Sequence, residues 1–144
     1  TERMGIIKSA AALGALLCDG IGDTIRISLT ADPVREVEAA HDLLAALGLE
    51  QNRIQFVSCP TCGRCRVDLF RIAQEAEQAL RGIRKNGKVA IMGCAVNGPG
   101  EASAADIGIA GGRGEGLLFC KGEILYKVPQ ERLVDALMAE IEKL

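Results

Sequence analysis

The chain is poor in aromatic residues. It has no Trp, three Phe and one Tyr among 144 residues, so it lacks the rings on which single-stranded nucleic acid stacks. It has no excess of either charge: the net charge is −2, which leaves no electrostatic footprint for a polyanion. No apolar run approaches the length of a membrane-spanning helix. Arg3 and Lys8 precede Ser9-Ala-Ala-Ala-Leu-Gly-Ala-Leu-Leu-Cys18, which has the outline of a signal-peptide core ending in a lipoprotein cysteine. Leu17 stands where such a site needs a small residue, and the segment is read as a buried amphipathic helix. The signs of a disulfide scaffold are missing too. Six cysteines are present, but three are bunched at 59, 62 and 65. Bunched thiols point to a metal or redox site in the cytoplasm rather than to a secreted framework.

Apolar residues make up 49% of the chain, ordinary for a globular protein, and their spacing divides it in two. Ile6, Ile7, Ala10, Leu13, Leu16 and Leu17 recur at helical spacing. Asp19–Asp23 reads as a turn, and the alternating, β-branched Thr24–Thr30 reads as a strand. Asp32 is a good N-cap, Pro33 suits the first helical position, and Gly48 closes a helix striped with Val34, Val37, Leu44 and Leu47. His41 shares that stripe and is expected to be partly buried and satisfied. Helix, strand and helix with short joints have the rhythm of an α/β barrel. Residues 1–51 are too few for one, so they read as the tail of a larger α/β domain. The first residue is Thr1, and a longer parent chain is expected.

Residues 52–144 form the second part. Ile54–Ser58 is a strand leading into Cys59-Pro-Thr-Cys62. A long helix follows, with Leu69, Ile72, Ala73, Ala76, Leu80 and Ile83 on one face, stopped at Asn86-Gly87. Strands are expected at 88–92, 106–110, 116–120 and 123–128, and Pro129 opens a final helix with Leu133, Val134, Leu137, Met138 and Ile141 on one face. The order β-α-β-β-β-β-α predicts an α+β fold, a mixed sheet with helices on one face. Arg81, Arg84 and Lys85 fall at the end of the long helix, where cations suit the dipole; they are a candidate docking patch for an acidic electron donor. Gly111–Gly116 is glycine-rich but lies between strands rather than before a helix, so it reads as a turn rather than a phosphate loop.

Cys59-Pro-Thr-Cys62, placed between a strand and a helix, admits three chemistries. A dithiol at a helix N-terminus has a lowered pKa and suits thiol–disulfide exchange. The same spacing binds zinc or an iron–sulfur cluster. Cys94 adds a third thiol in Gly93-Cys-Ala-Val-Asn-Gly-Pro-Gly-Glu101, where glycines at 93, 98 and 100 allow sharp turns and close approach to a bulky group. A thioredoxin-like dithiol needs no such third thiol. A zinc site needs a fourth ligand; Cys65, Cys120 and His41 are the candidates, and none sits in a matching second knuckle. Cys18 and Cys120 lie on apolar elements and read as small hydrophobes.

These motifs carry a resemblance. Cys59-Pro-Thr-Cys-Gly-Arg64 after a strand, followed by Gly93–Glu101, resembles the cluster domain of the 4-hydroxy-3-methylbut-2-enyl diphosphate synthase family. Ile7-Lys-Ser-Ala10, Gly20–Thr30 and Asp32-Pro33 are similar to the barrel text upstream of it, and the likeness covers essentially the whole chain. The Asn97-Gly-Pro-Gly-Glu101 string after a cysteine is the specific part.

The resemblance implies a four-iron, four-sulfur (4Fe-4S) cluster held by Cys59, Cys62, Cys94 and Glu101. It gives Glu101 and Asn97 catalytic roles and makes Arg26 and Ser28, at a barrel strand end, contacts for the substrate diphosphate. Cys65 stands at a position usually not a cysteine in the family and is not taken as a ligand. The implied reaction is the reductive ring opening and dehydroxylation of 2-C-methyl-erythritol 2,4-cyclodiphosphate, with electrons from ferredoxin or flavodoxin. A homodimer is implied, in which one subunit's cluster domain caps the other's barrel; neither nucleic acid nor membrane is an expected partner. Most of a barrel of about 250 residues would lie upstream, so no turnover is expected from these residues alone.

Overall fold

The computed structural model describes residues 1–143. The chain divides into two compact units, Thr1–Gln51 and a second beginning at Asn52.

The first unit holds two helices, α1 (Glu2–Cys18) and α2 (Pro33–Ala46). Asp32 caps α2 as its sequence suggests, its Oδ1 accepting from Val34 N at 2.9 Å, a bond that uses one of the donors orphaned at a helix start. At the other end Gly48 adopts φ +70. Its N–H donates to Ala45 O at 3.0 Å, and Leu49 N–H to Leu44 O at 2.9 Å, the paired closure that a left-handed glycine permits. Arg35 of α2 bonds Glu2 of α1 at 3.0 Å and also pairs with Glu38.

Four expectations for this unit do not hold. Residues 24–30 form no strand. Their exposure alternates, with Ile27 buried and Arg26 and Ser28 outward, yet a strand is defined by its ladder, and no second segment pairs with them in this unit. The helix α1 is only partly buried: Gly14 and Leu17 are buried and Ile6, Ala10 and Leu13 half-buried on one face, while Met4, Ile7 and Leu16 are exposed. Its apolar residues run around the cylinder instead of along one stripe. Val34 and Val37 also face outward, and Ala39 is the buried residue of α2. Cys18 is exposed rather than packed as a hydrophobe. No helix among the described residues is long and apolar enough to cross a membrane.

The second unit is a five-stranded mixed sheet of β1 (Ile54–Ser58), β2 (Gly87–Met92), β3 (Ile107–Gly111), β4 (Glu115–Cys120) and β5 (Glu123–Pro129), in that spatial order. The first three strands are parallel and the last two antiparallel. Lys121 and Gly122, both at positive φ, form the two-residue hairpin that joins β4 to β5.

The alternation of side chains sorts the sheet into two faces. Val89, Ile91, Ile107, Ile109 and Leu118 point to one face, where α3 (Leu69–Leu80) and α5 (Leu133–Ile141) cover them with Ile72, Ala76, Leu133, Leu137 and Ile141. Each large side chain fully buried there contributes on the order of 1.5–3 kcal/mol. Ala90, Met92, Ala110, Leu117 and Phe119 point to the other face, against Ala102 and Ala105. That face carries a short helix, α4 (Gly98–Glu101), in the loop expected to be irregular. Gly108 is dictated by packing: a Cβ there would lie 2.3 Å from Phe119 Cζ and 2.7 Å from Ala90 O.

The boundaries of α3 differ from expectation at both ends. Asp68 is its N-cap, with Oδ1 accepting from Arg71 N at 3.2 Å, so the helix starts well after Cys62. It ends at Leu80, where Arg81 turns extended and Gly82 takes φ +86. Arg81, Arg84 and Lys85 therefore lie beyond it. Lys85 Nζ instead donates to Ile141 O at 3.0 Å and Glu142 O at 2.7 Å, a cation at the negative end of α5.

Candidate metal centre

The carboxyl ends of β1, β2 and β3 point the same way, the end of an open sheet where ligands bind. Cys59 and Cys62 lie in the loop after β1, and Cys94 in the loop after β2. The β1–β2 ladder runs one step past β1, with Cys59 N–H donating to Ile91 O at 3.1 Å. The two loops then lock together at Gly93. Its N–H donates to Cys59 Sγ at 3.2 Å, and its carbonyl accepts from Arg66 N at 3.2 Å. A Cβ at Gly93 would sit 2.7 Å from Cys65 Sγ and 3.4 Å from Cys59 Sγ, so only glycine lets the loops approach this closely.

Cys59, Cys65 and Cys94 are partly buried and Cys62 is exposed, all as free thiols. In the second loop Gly98 and Pro99 are buried. Gly98 N–H donates to Cys94 O at 3.0 Å and Glu101 N–H to Asn97 O at 2.8 Å. Asn97 Nδ2 faces Glu101 Oε1 at 3.5 Å, the outer limit of a hydrogen bond, and the Glu101 side chain is exposed.

Sequence motifs and geometry part company in several places. Cys62 is not at a helix N-terminus, because α3 begins at Leu69. The dipole that would lower a thiol pKa for disulfide exchange is absent from Cys59-Pro-Thr-Cys62. Cys120 ends β4 and so lies at the opposite end of the sheet from Cys59, which takes it out of reach as a fourth zinc ligand. His41 belongs to the first unit and is exposed, with Nδ1 2.7 Å from Glu50 Oε1, instead of partly buried. Arg26 and Ser28 are exposed residues of the first unit. Arg81 and Arg84 follow the C-terminal end of α3, at the end of the sheet away from the cysteine loops, which is a poor place for an electron donor to dock. Gly93 and Cys65 were not singled out as partners, and the only signals for them were a glycine before Cys94 and the repeated three-residue cysteine spacing.

No group of three or more His, Cys, Asp or Glu side chains among the described residues is gathered tightly enough to hold a metal ion. The donor chemistry nevertheless fits an iron–sulfur group. Free thiols stand on two loops pinned to each other, the glycines leave room beside them, and a main-chain N–H already points at one sulfur. Drawing ligands together is commonly done by the metal itself, because its binding free energy is folding free energy.

A mixed sheet with free thiols in the loops at the carboxyl ends of its parallel strands defines the class of α+β domain to which the second unit belongs. Residues 55–143 match the family model described as the GcpE protein C-terminal domain, and residues 1–41 match that of the GcpE TIM-barrel domain. The chain belongs to this GcpE family. It is 61% identical over its full length to a protein of Geobacter sulfurreducens and covers 41% of it. It is 57% identical over 140 residues to a protein of Clostridium acetobutylicum, covering 97% of this chain and 40% of that one. A Bacillus licheniformis protein is 60% identical over 140 residues, covering 97% and 38%. All three relatives bear the name 4-hydroxy-3-methylbut-2-en-1-yl diphosphate synthase (flavodoxin). The chain spans about two-fifths of the length of these curated relatives.

Proposed function

We propose that this chain is the cluster-binding portion of a 4-hydroxy-3-methylbut-2-enyl diphosphate synthase of the isoprenoid pathway, with residues 1–51 contributing the end of its barrel. The observation that carries the proposal is the junction at Gly93, which sets Cys59 and the Cys94 loop side by side at the carboxyl end of the sheet. Cys59, Cys62 and Cys94 would hold a 4Fe-4S group through three thiolates, with Glu101 as the fourth ligand. A carboxylate is harder than a thiolate and exchanges more readily, which suits the position that must open for a substrate oxygen. When bound, the group supplies a Lewis-acidic iron and a relay for single electrons.

The remaining roles belong to the chain's own atoms. When not serving as a ligand, the Glu101 carboxylate, exposed to solvent, can take up a proton from water and hand it to the departing oxygen. Asn97 Nδ2, facing Glu101 Oε1 at 3.5 Å, orients that carboxyl. Arg26 and Ser28 would grip the substrate diphosphate, the planar guanidinium offering two donors to a pair of phosphate oxygens. The net reaction opens the cyclic diphosphate and removes its hydroxyl as water, consuming two electrons from flavodoxin or ferredoxin and a proton. The enzyme works in the cytoplasm as a homodimer, and these residues alone give no turnover, because most of the barrel that binds substrate lies outside them.

Iron, sulfide and zinc per chain after anaerobic reconstitution, with a visible spectrum, test the proposal. About four irons with matching sulfide are expected, together with loss of the cluster in Cys94→Ser. Glu101→Gln is expected to keep the cluster but alter its spectrum. One zinc per chain without sulfide would instead make this a structural zinc module. Full disulfide-exchange activity in Cys94→Ser would make it a thiol oxidoreductase.

A further inference from the structure

Cys65 has no part in the reaction proposed above, yet it is held in place by contacts on several sides. Its N–H donates to Cys62 O at 2.9 Å, closing a turn. Its Sγ donates to Val67 O at 3.3 Å, and its side chain packs against the helix-covered core. Val67 in turn fills the space over Gly111 at the end of β3, where a Cβ would lie 2.5 Å from its Cγ2. The Cys65 sulfur then presses on Gly93 from the side, 2.7 Å from where a Cβ would be, while Arg66 N–H holds the Gly93 carbonyl at 3.2 Å. The Gly93 peptide is thus fixed on two sides, with its N–H aimed at Cys59 Sγ at 3.2 Å.

We infer that Cys65 is a positioning residue: it clamps the Gly93 peptide so that the Gly93 N–H hydrogen-bonds the Cys59 sulfur, and this bond raises the reduction potential of the iron–sulfur group. The inference rests on the synthase reading, in which Cys59 is a ligand. A donor aimed at a ligand sulfur stabilises the more negative, reduced form, and hydrogen bonds to sulfur are among the levers that set cluster potentials. Gly93 is buried, and the weaker screening there strengthens such a bond. The Cys65 S–H is already committed to Val67 O, which fits a buttress rather than a ligand.

The test uses the full chain reconstituted anaerobically with iron and sulfide, with iron content, visible spectrum and reduction potential measured for each variant. Cys65→Ala is expected to hold as much iron as the unaltered chain but at a more negative potential. Cys65→Ser, which keeps a donor for Val67 O, is expected to return most of the shift. Gly93→Ala drives a Cβ into the Cys65 sulfur and is expected to lose iron. Adding Cys65→Ala removes that sulfur, leaving the nearest atom of residue 65, its Cβ, at 3.3 Å, and the double variant is expected to recover iron relative to Gly93→Ala. Loss of iron in Cys65→Ala would make Cys65 a ligand and overturn the inference. An unchanged potential in Cys65→Ala, or no recovery in the double variant, would overturn it as well. If the unaltered chain takes up no iron and sulfide, the synthase reading falls. The clamp is then judged by the metal-free unfolding free energies of the same four chains, where strictly additive effects refute it.

Discussion

Replacing Gly98 separates packing from chain flexibility in the Asn97-Gly-Pro-Gly-Glu101 string. A Cβ at Gly98 would lie 2.8 Å from Met92 Cβ and 3.1 Å from Ala110 Cβ. Met92 and Ala110 are paired across β2 and β3, and both clashing atoms are fixed to the backbone, so no rotamer change relieves the contact. Gly98→Ala must lift α4 from the sheet or spread the strands, a cost of roughly 1–3 kcal/mol. At about 4–8 °C per kcal/mol for a domain of this size, the melting temperature should fall by roughly 4–24 °C. Gly100, two residues on, has nothing within 4 Å of its added Cβ and no positive φ. Gly100→Ala should therefore be neutral or stabilise by about 0.4–1 kcal/mol, chiefly by restricting the unfolded chain. The assay is urea unfolding of the metal-free chain under reducing conditions, followed by circular dichroism. Stabilities of the two variants within about 0.5 kcal/mol of each other would refute the claim that packing, rather than loop mobility, explains Gly98.

Three further outcomes are expected. Lys85→Ala removes the cation from the end of α5 and should cost about 0.5–2 kcal/mol, less in high salt than in low, as read from urea midpoints at two ionic strengths. Gly122→Ala forces a side chain into the left-handed region at φ +86, 3.2 Å from Ser103 Cβ, and should destabilise by at least about 1 kcal/mol; an unchanged midpoint would deny the hairpin geometry. Tyr126 Oη donates to Glu140 Oε1 at 2.9 Å, and the Glu140 carboxyl is held below its ordinary range by the Lys143 ammonium first and Tyr126 second. A depressed carboxyl stabilises the fold above its unfolded pKa and loses that contribution as pH falls through its folded value. The melting-temperature gap between the unaltered chain and Tyr126→Phe should therefore narrow below about pH 4.

The second unit was largely legible because its signals are local. Val89–Met92, Ile107–Ala110 and Leu117–Phe119 are apolar runs too short for helices, and the Lys121-Gly122 pair marks a hairpin. Proximity of Cys59 to Cys94 was not legible from spacing, since it depends on the parallel register of β1 and β2. The start of α3 differs from the sequence reading because that reading sets the helix directly after Cys62, whereas the apolar period begins only at Leu69 and Asp68 caps it. Gly82 ends the same helix by left-handed geometry that Asn86-Gly87 also advertises. In the first unit, Thr24–Thr30 has the composition of a strand, but a ladder is a property of two segments. Val34 and Val37 make an apolar stripe that nothing within residues 1–51 covers. Lys85 shows a cation whose helix dipole lies 56 positions along the chain, beyond any reading of local sequence.

The joint at Gly93 also bears on how the protein is born. Cys59 and Cys62 precede Cys94 by a complete helix and a complete strand, α3 and β2. At about 5–20 residues per second of synthesis, those two thiols leave the ribosome roughly 2–7 seconds before the loop that supplies Gly93 N–H and Cys94. Through that interval they have Cys65 beside them but neither Cys94 nor the Gly93 N–H that reaches the Cys59 sulfur. Once β2 joins β1, the Gly93 joint closes, and from then on the thiol set exists only in a chain that has paired those strands. Under the proposed function, metal loading would thereby be tied to completion of the sheet, because a chain stalled before β2 would lack Cys94 and the Gly93 N–H.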